Sequence, residues 1–406
     1  MNDGLNTRSI VATVAMALAV QALTAMALAV PPVLAPVAAA DFGIAPAGVG
    51  NWVGFAYMVE MFAGPVSGAL VGRHGPVRVL QIAVACVALG LAVGATAHAV
   101  LLIPCGVLLG VAHGLVNPAS SAILVTAAPA RLRSIVFSIK QTGVPVGAAI
   151  TGMLVPALLL QANWQSAVLI LAAGSAAVAL VTVPFRRTYD HDRDKKTDQR
   201  LHLSRFAAPI AEVWKNRRIL ELALTSAVFS SVQMSFGTYL VSFLKLGLGY
   251  SLVAAGLVFS AAQVAGVVGR ILWGAFADQF LAPRTILAIL GSTMALCGLA
   301  AATFTASWPF AAVLAVCVLY GATAVGWNGV FLAEVARLAP EGRVAFITGG
   351  TQFYTFGGVL VGPPVFGAMV SATGSYAAGF VLVAVLPMAV GIKLLISRYR
   401  AAGGRP

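Results

Sequence analysis

The sequence predicts an all-α membrane protein of twelve spanning helices, arranged as two pseudo-symmetric six-helix bundles. Three observations predict it: the composition, the spacing of apolar runs with the charges between them, and an internal repeat. Of 406 residues, 60% are hydrophobic and 9% charged, against about 45–50% and about 25% in soluble domains. So apolar a chain is no soluble domain, and it is too poor in charge to be disordered. At about 20 apolar residues per spanning helix, plus short loops, the length divides into roughly twelve passes of about 34 residues.

Apolar stretches and polar breaks place the spans at 9–36, 47–71, 77–97, 100–127, 134–160, 165–185, 219–244, 251–276, 284–305, 308–335, 344–371 and 376–397. The first follows Arg8 and ends near Ala38-Ala39-Ala40, which imitates a signal peptide with its cleavage site. The run exceeds the about 7–15 residues of a signal-peptide core. Pro31, Pro32 and Pro36 suit the outer end of a retained helix, so we expect the helix to be kept. The second span leads into Arg73 and Arg78, the fourth into Arg131 and Arg133, and the sixth into the basic stretch 186–218. Arg284, Arg337 and Arg343 lie in later loops of the same side, and Lys393, Arg398, Arg400 and Arg405 lie at the C-terminal end. With an inward N-terminus, 22 of the 25 Lys and Arg residues fall on one side, and Lys245 is the one residue opposite. The positive-inside rule then puts both termini in the cytoplasm and the chain in the cell (inner) membrane. The net charge of +13 is a topology signal, and no nucleic-acid partner is expected. Lys140 and Arg270 lie inside spans.

The stretch 186–218 is the long polar interruption, with ten basic residues against five acidic ones. It divides an N-terminal bundle, 1–185, from a C-terminal bundle, 219–406. Within it, 206–214 reads either as a short amphipathic helix on the inner membrane surface or as a solvated linker. The halves repeat. Gly68 to Gly72 matches Gly274 to Asp278; Gly110, Asn117 and Pro129 match Gly321, Asn328 and Pro340 at an offset of 211. Arg133, Gly147 and Gly152 match Arg343, Gly357 and Gly362 at 210, and Gln21 finds Gln233 at 212. A duplicated six-helix unit is characteristic of transporters that rock two halves about a central site.

These motifs resemble the major facilitator superfamily over essentially the whole chain. The family's signature between helices 2 and 3, Gly-x-Leu-Ala-Asp-Arg-x-Gly-Arg, is approximated by Gly68-Ala-Leu70-Val-Gly72-Arg73-His-Gly75-Pro-Val-Arg78. Gly72 stands where the family has its gating Asp, and Arg73 is kept. The second copy, Gly274-Ala-Phe276-Ala-Asp278, keeps the Asp but has Gln279 and Leu281 at the Arg and Gly positions. Pro36 with Asp41-Phe42-Gly43 approximates the pattern after helix 1. Drug/proton antiporters of the superfamily carry an Arg early in helix 4, where Gly106 stands here. Their helix 5 motif is half reproduced by Gly143-Val-Pro145-Val-Gly147-Ala148. Gly269-Arg270-Ile-Leu-Trp273-Gly274 in helix 8 resembles the monocarboxylate and oxalate/formate porters, in which that Arg holds a substrate carboxylate. The oxalate porter's second cation lies on helix 11. Here the 210 offset puts Gly350 at that place and Lys140 on the pseudo-symmetric helix 5.

A Lys or Arg at the centre of a span costs about 2.5–3.5 kcal/mol on insertion scales, so it persists where it faces a wet cavity or a partner. Both Lys140 and Arg270 are within snorkelling reach of the inner surface. In the functional reading, Arg270 gives a carboxylate a bidentate fork and Lys140 supplies a point charge. Glu60, mid-way along the second span, and His113 in the fourth are candidate proton carriers; a structural ion pair or a helix-to-helix hydrogen bond is the alternative for each. Asp278 and Glu334, near Arg337 and Arg343, read as gating or structural charges. Gln21, Tyr57, Asn117, Gln141, Gln233, Tyr239, Gln263, Trp273, Asn328, Gln352 and Tyr354 are available to line a cavity or to bridge helices. Gln21 and Gln233 stand out as a symmetric pair.

Four cysteines lie in apolar runs without metal-ligand spacing, and neither a nucleotide-binding loop nor a nucleophile triad occurs. No metal, cofactor or enzymatic activity is expected. The expectation is a monomeric secondary transporter of small organic anions, with a proton as co-substrate and the lipid bilayer as its surroundings. Proton-driven efflux of hydrophobic compounds and a non-transporting sensor on the same fold are the alternatives.

Overall fold

A computed structural model describes residues 7–129, 132–190, 204–340 and 343–403. Arg131, Arg405 and linker positions 191–203 lie outside the described residues, as do the side chains of Asp278, Arg398 and Arg400. Among the described residues no strand occurs, and twelve helical segments are long and apolar enough to cross a membrane. A helix satisfies its backbone hydrogen bonds within one segment, which lipid requires.

Contacts divide the chain into two units. The first comprises Met1–Ile44 with Phe55–Leu201, the second Ala45–Gly54 with His202–Pro406. The first unit is built on α1 (Thr7–Ala38), most of α2 (Val49–His74), α3 (Pro76–Gly94), α4 (Leu102–Ala127), α5 (Arg133–Gln141), α6 (Gly143–Leu158), α7 (Trp164–Val181) and α8 (Val183–Tyr189). In it α1 packs on α6 and α4, and α3 on α4 and α7. The second unit holds α9 (Ser204–Lys215), α10 (Arg217–Ser242), α11 (Leu252–Gln279), α12 (Pro283–Ala302), α13 (Phe310–Ala324), α14 (Asn328–Leu338), α15 (Val344–Thr373) and α16 (Tyr376–Gly403). Here α10 packs on α15, α12 on α16, and α11 on α13.

The glycines at helix crossings fix the register of the repeat. Gly110 lies against the Ala56 carbonyl and Gly321 against that of Ala262; Gly147 lies against the Ala22 carbonyl and Gly358 against that of Ala227. Thr151 donates to the Met26 carbonyl at 3.1 Å, where the second unit packs Gly362 on Ser231. A side chain at any of these glycines would collide with the neighbouring backbone. The Ala22/Ala227 pair sets an offset of 205 for the first helix of each unit, and the Gly147/Gly358 pair sets 211 for the fifth. The sequence assignments shift accordingly, Gly152 now falling opposite Pro363 and not Gly362. Gly147 corresponds to Gly358 and not Gly357, Lys140 to Thr351 and not Gly350, and Gln21 to Ser226 and not Gln233. The two glutamines are therefore seven residues out of register, about 10 Å along a helix.

The fifth and tenth spans, expected as continuous helices, are interrupted. In the fifth, Thr142 tightens into a turn, its amide donating to the Ile139 carbonyl at 3.1 Å, and α6 follows at once. In the tenth, residues 325–327 form a turn that interrupts the helix between α13 and α14. Their counterparts α15 and α4 run unbroken.

The amphipathic stretch within the linker is a helix, α9, and it docks on α15. Val213 is fully buried and the Pro209 carbonyl closes on Gly350, while Trp214 faces out. Glu212 accepts from Lys215 and Arg343, each at 3.0 Å, and these hydrogen bonds hold its carboxyl below the usual carboxylate range.

Two acids tie down the first unit. Asp41 accepts from the Trp164 indole at 2.6 Å, with Phe42 tilted against the same ring. Asp190, at the end of α8, is buried and accepts the amides of Val77 and Arg78 at 2.9 and 3.1 Å. It caps the N-terminus of α3, where Gly75 turns the chain with φ +89°. A carboxylate at a helix N-terminus satisfies orphan donors and meets the positive end of the dipole. Asp190→Ala is expected to destabilise the unit by about 1–2 kcal/mol, read as a lower unfolding midpoint of the purified protein. An unchanged midpoint would show that the cap contributes nothing.

Candidate functional site

Each unit holds a polar cluster within its apolar interior. In the first, α5 carries Lys140 in its last turn, where it is 1% exposed and donates to the Asn117 side chain of α4. A cation in the last turn of a helix is favoured by the dipole, and the amide oxygen gives the ammonium a neutral partner. One turn back on α4, His113 places Nε2 3.9 Å from Glu60 Oε1 of α2, and its Nδ1 3.2 Å from the Thr24 hydroxyl of α1. Tyr57 meets the His113 ring edge-on at 6.3 Å between centroids. Glu60 Oε2 and Gln21 Oε1 are buried and have no hydrogen-bond partner among the described residues. Lys140 of α5 with Asn117 of α4, and His113 of α4 with Glu60 and Tyr57 of α2, are thus brought together across helices that the sequence had only placed separately.

The second unit is organised by the break in its tenth span. A helix end leaves carbonyls without partners, and α11 supplies donors to them. Arg270 Nε donates to the Val325 carbonyl at 3.0 Å and Trp273 Nε1 to that of Ala322 at 2.8 Å. Gly326 allows the Trp273 ring to approach this closely. Beyond the break, the Gln233 side-chain oxygen of α10 accepts from Trp327 at 3.0 Å and from Asn328 at 3.5 Å. Trp327 is 1% exposed and stands edge-on to Phe229 and Phe331.

Other candidates fall elsewhere. Tyr239, expected to line a cavity, is fully buried, stacked on Phe366, and its hydroxyl lies 2.8 and 2.9 Å from the carbonyls of Ala47 and Pro363. Its one hydroxyl proton is shared between those carbonyls, so we assign it to packing. Gln141 is exposed and Tyr354 is half-buried on α15. Arg73 is exposed in the last turn of α2. Glu334 is completely buried; Arg337 grips both its oxygens at 2.7 Å and Arg284 lies 3.6 Å away. That network ties α14 to the start of α12. Thr24, Asp190 and Trp327 were missed in the sequence. A lone threonine, an acid in a charged linker and an apolar aromatic carry no local signal of the partners they find across the fold.

The comparisons with known proteins follow the same lines. The Major Facilitator Superfamily matches residues 17–363. A probable sulfoacetate transporter of Cupriavidus necator is 26% identical over 359 residues, covering 82% of this chain and 80% of that protein. Monocarboxylate transporter 13 of Rattus norvegicus is 25% identical over 332 residues, covering 80% and 74%. Among solved structures, the nucleoside transporter NupG superimposes with a TM-score of 0.75 at 15% identity, covering 95% of this chain and 98% of its own. A bacterial homologue of the lysosomal transporter Spinster gives 0.73 at 18%, covering 96% of each chain. With most of its length matched to one family of carriers, the chain belongs to the Major Facilitator Superfamily and is a multi-pass membrane transporter, not an enzyme.

Proposed function

We propose that the protein moves small organic anions, monocarboxylates or similar carboxylates, together with a proton, by alternating access. The observation that carries this reading is a membrane-span cation in each unit that donates a hydrogen bond to a neutral group: Lys140 to the Asn117 side chain and Arg270 to the Val325 carbonyl. Neutral partners orient a charge without cancelling it, so an anionic cargo gains the electrostatic term. The names of two relatives, a probable sulfoacetate transporter and a monocarboxylate transporter, support the same class. In this reading Arg270 grips the carboxylate and Lys140 adds a second positive charge. Gln21, Gln233, Asn117, Asn328, Tyr57 and Trp273 supply neutral contacts. The protein works as a monomer in the inner membrane with both termini in the cytoplasm, as its basic residues favour.

The Glu60–His113 pair is the proton carrier. Glu60 Oε2 has no donor among the described residues, so a bare carboxylate there carries a desolvation penalty that protonation removes. His113, fixed by Thr24, is the neighbour that passes or shares the proton.

Two experiments in proteoliposomes test this. Arg270→Lys keeps a donor for Val325 but loses the fork. Anion uptake is expected to fall about ten- to hundredfold, the worth of one charge-assisted hydrogen bond at ~1.5–3 kcal/mol, while the protein still inserts. Normal uptake by this variant and by Lys140→Ala would remove both cations from the mechanism. For the proton, Glu60→Gln mimics the protonated acid. Accumulation driven by a pH gradient is expected to disappear while exchange of labelled for unlabelled anion persists. Undiminished stimulation by external acid would rule Glu60 out as the carrier.

A further inference from the structure

A second charged site lies at one end of the C-terminal unit, apart from the polar cluster around Arg270. The starts of α10 and α12 and the last part of α16 enclose a groove of about 880 Å³. Its rim carries Arg217, Arg218, Arg284 and Lys393 against the single carboxylate of Glu221. Glu221 is committed: Arg284 donates to it at 2.5 Å, and Lys393 lies 3.9 Å away. Arg284 is further fixed by Glu334, 3.6 Å from its Nε. Arg217 and Arg218 are exposed, and among the described residues no carboxylate lies within ion-pair distance of either. The rim is therefore strongly positive, with two guanidinium groups uncommitted.

The groove changes character along its depth. Leu224, seven residues beyond Arg217 and so about 10 Å deeper into the span, forms part of the wall with Ala389 and Ile392. All three are exposed. A small soluble anion would use the rim and leave this wall bare. A molecule with a phosphate at one end and a hydrocarbon chain at the other covers both.

We propose that this groove binds an anionic phospholipid. Arg217, Arg218 and Lys393 hold the phosphate, and an acyl chain runs over Leu224 and Ile392. Basic pockets between spanning helices on the cytoplasmic side are suited to such headgroups, and the positive-inside assignment puts this rim there. The site is independent of the transported anion, because none of these residues belongs to the Arg270 or Lys140 clusters.

Native mass spectrometry of the delipidated full-length protein tests it, with phosphatidylglycerol, phosphatidylethanolamine and glycerol 3-phosphate as probes. Phosphatidylglycerol is expected to bind about tenfold more tightly than phosphatidylethanolamine. The double variant Arg217→Gln/Arg218→Gln should remove that preference and leave phosphatidylethanolamine binding unchanged. Both positions are exposed and outside the ion pairs, so the fold is retained. Leu224→Asn should weaken phosphatidylglycerol as well. Equal binding of the two lipids, or a preference that survives the double variant, would overturn the proposal. Displacement of phosphatidylglycerol by equimolar glycerol 3-phosphate would also overturn it, since the ligand would then be a soluble phosphate.

Discussion

Lipid offers no hydrogen bonds, and that single constraint organises this molecule. Every polar group inside a span must find its partner within the protein, or bring one with its cargo. The break at residues 325–327 makes the point. Opening a helix in hydrocarbon strands carbonyls, and the Arg270 guanidinium and Trp273 indole of α11 are what the chain aims at them. The same contact that stabilises the break orients the charge. Structure and chemistry here rest on one pair of donors.

The two units solve the problem in different places. In the first, the fifth span tightens at Thr142, two residues after Lys140, while the fourth is unbroken. In the second, the tenth is interrupted at 325–327 and the eleventh is unbroken. Each unit thus associates its membrane cation with a helix C-terminal end, where the dipole favours positive charge. One cation lies on the interrupted helix itself and the other reaches over from a neighbour. Duplication preserved the scaffold, since the crossing glycines Gly110 and Gly321 make the same contact, and let the polar groups diverge.

Much of this was legible in the sequence. Hydropathy and the placement of Arg and Lys gave the number of spans, because lipid thickness and insertion act on local composition. The repeat was visible through glycines, because close helix crossings admit nothing larger. Its register was one residue off at Gly358 and seven off at Gln233, since many small residues in apolar helices match by chance and only packing fixes the phase. The interruption after Ala324 escaped notice: a single Gly326 within an apolar run does not break a helix unless side chains elsewhere capture the freed carbonyls. Tyr239 looked like a cavity residue because an aromatic hydroxyl in a span needs a partner, and sequence cannot say whether that partner is cargo or backbone. The docking of α9 on α15 was likewise a matter of tertiary contact.

The carboxylate of Asp190 that closes the start of α3 has a consequence for biosynthesis. It lies 113 residues further along the chain than the Val77 amide it accepts. At ~5–20 residues per second, roughly 6–23 s of translation separate the two. During that interval the third helix enters the bilayer with its leading amides exposed to water or headgroups, and the first bundle stays unlocked until its last helix emerges. The ribosome, by its pace, sets the earliest moment at which this half of the carrier is complete.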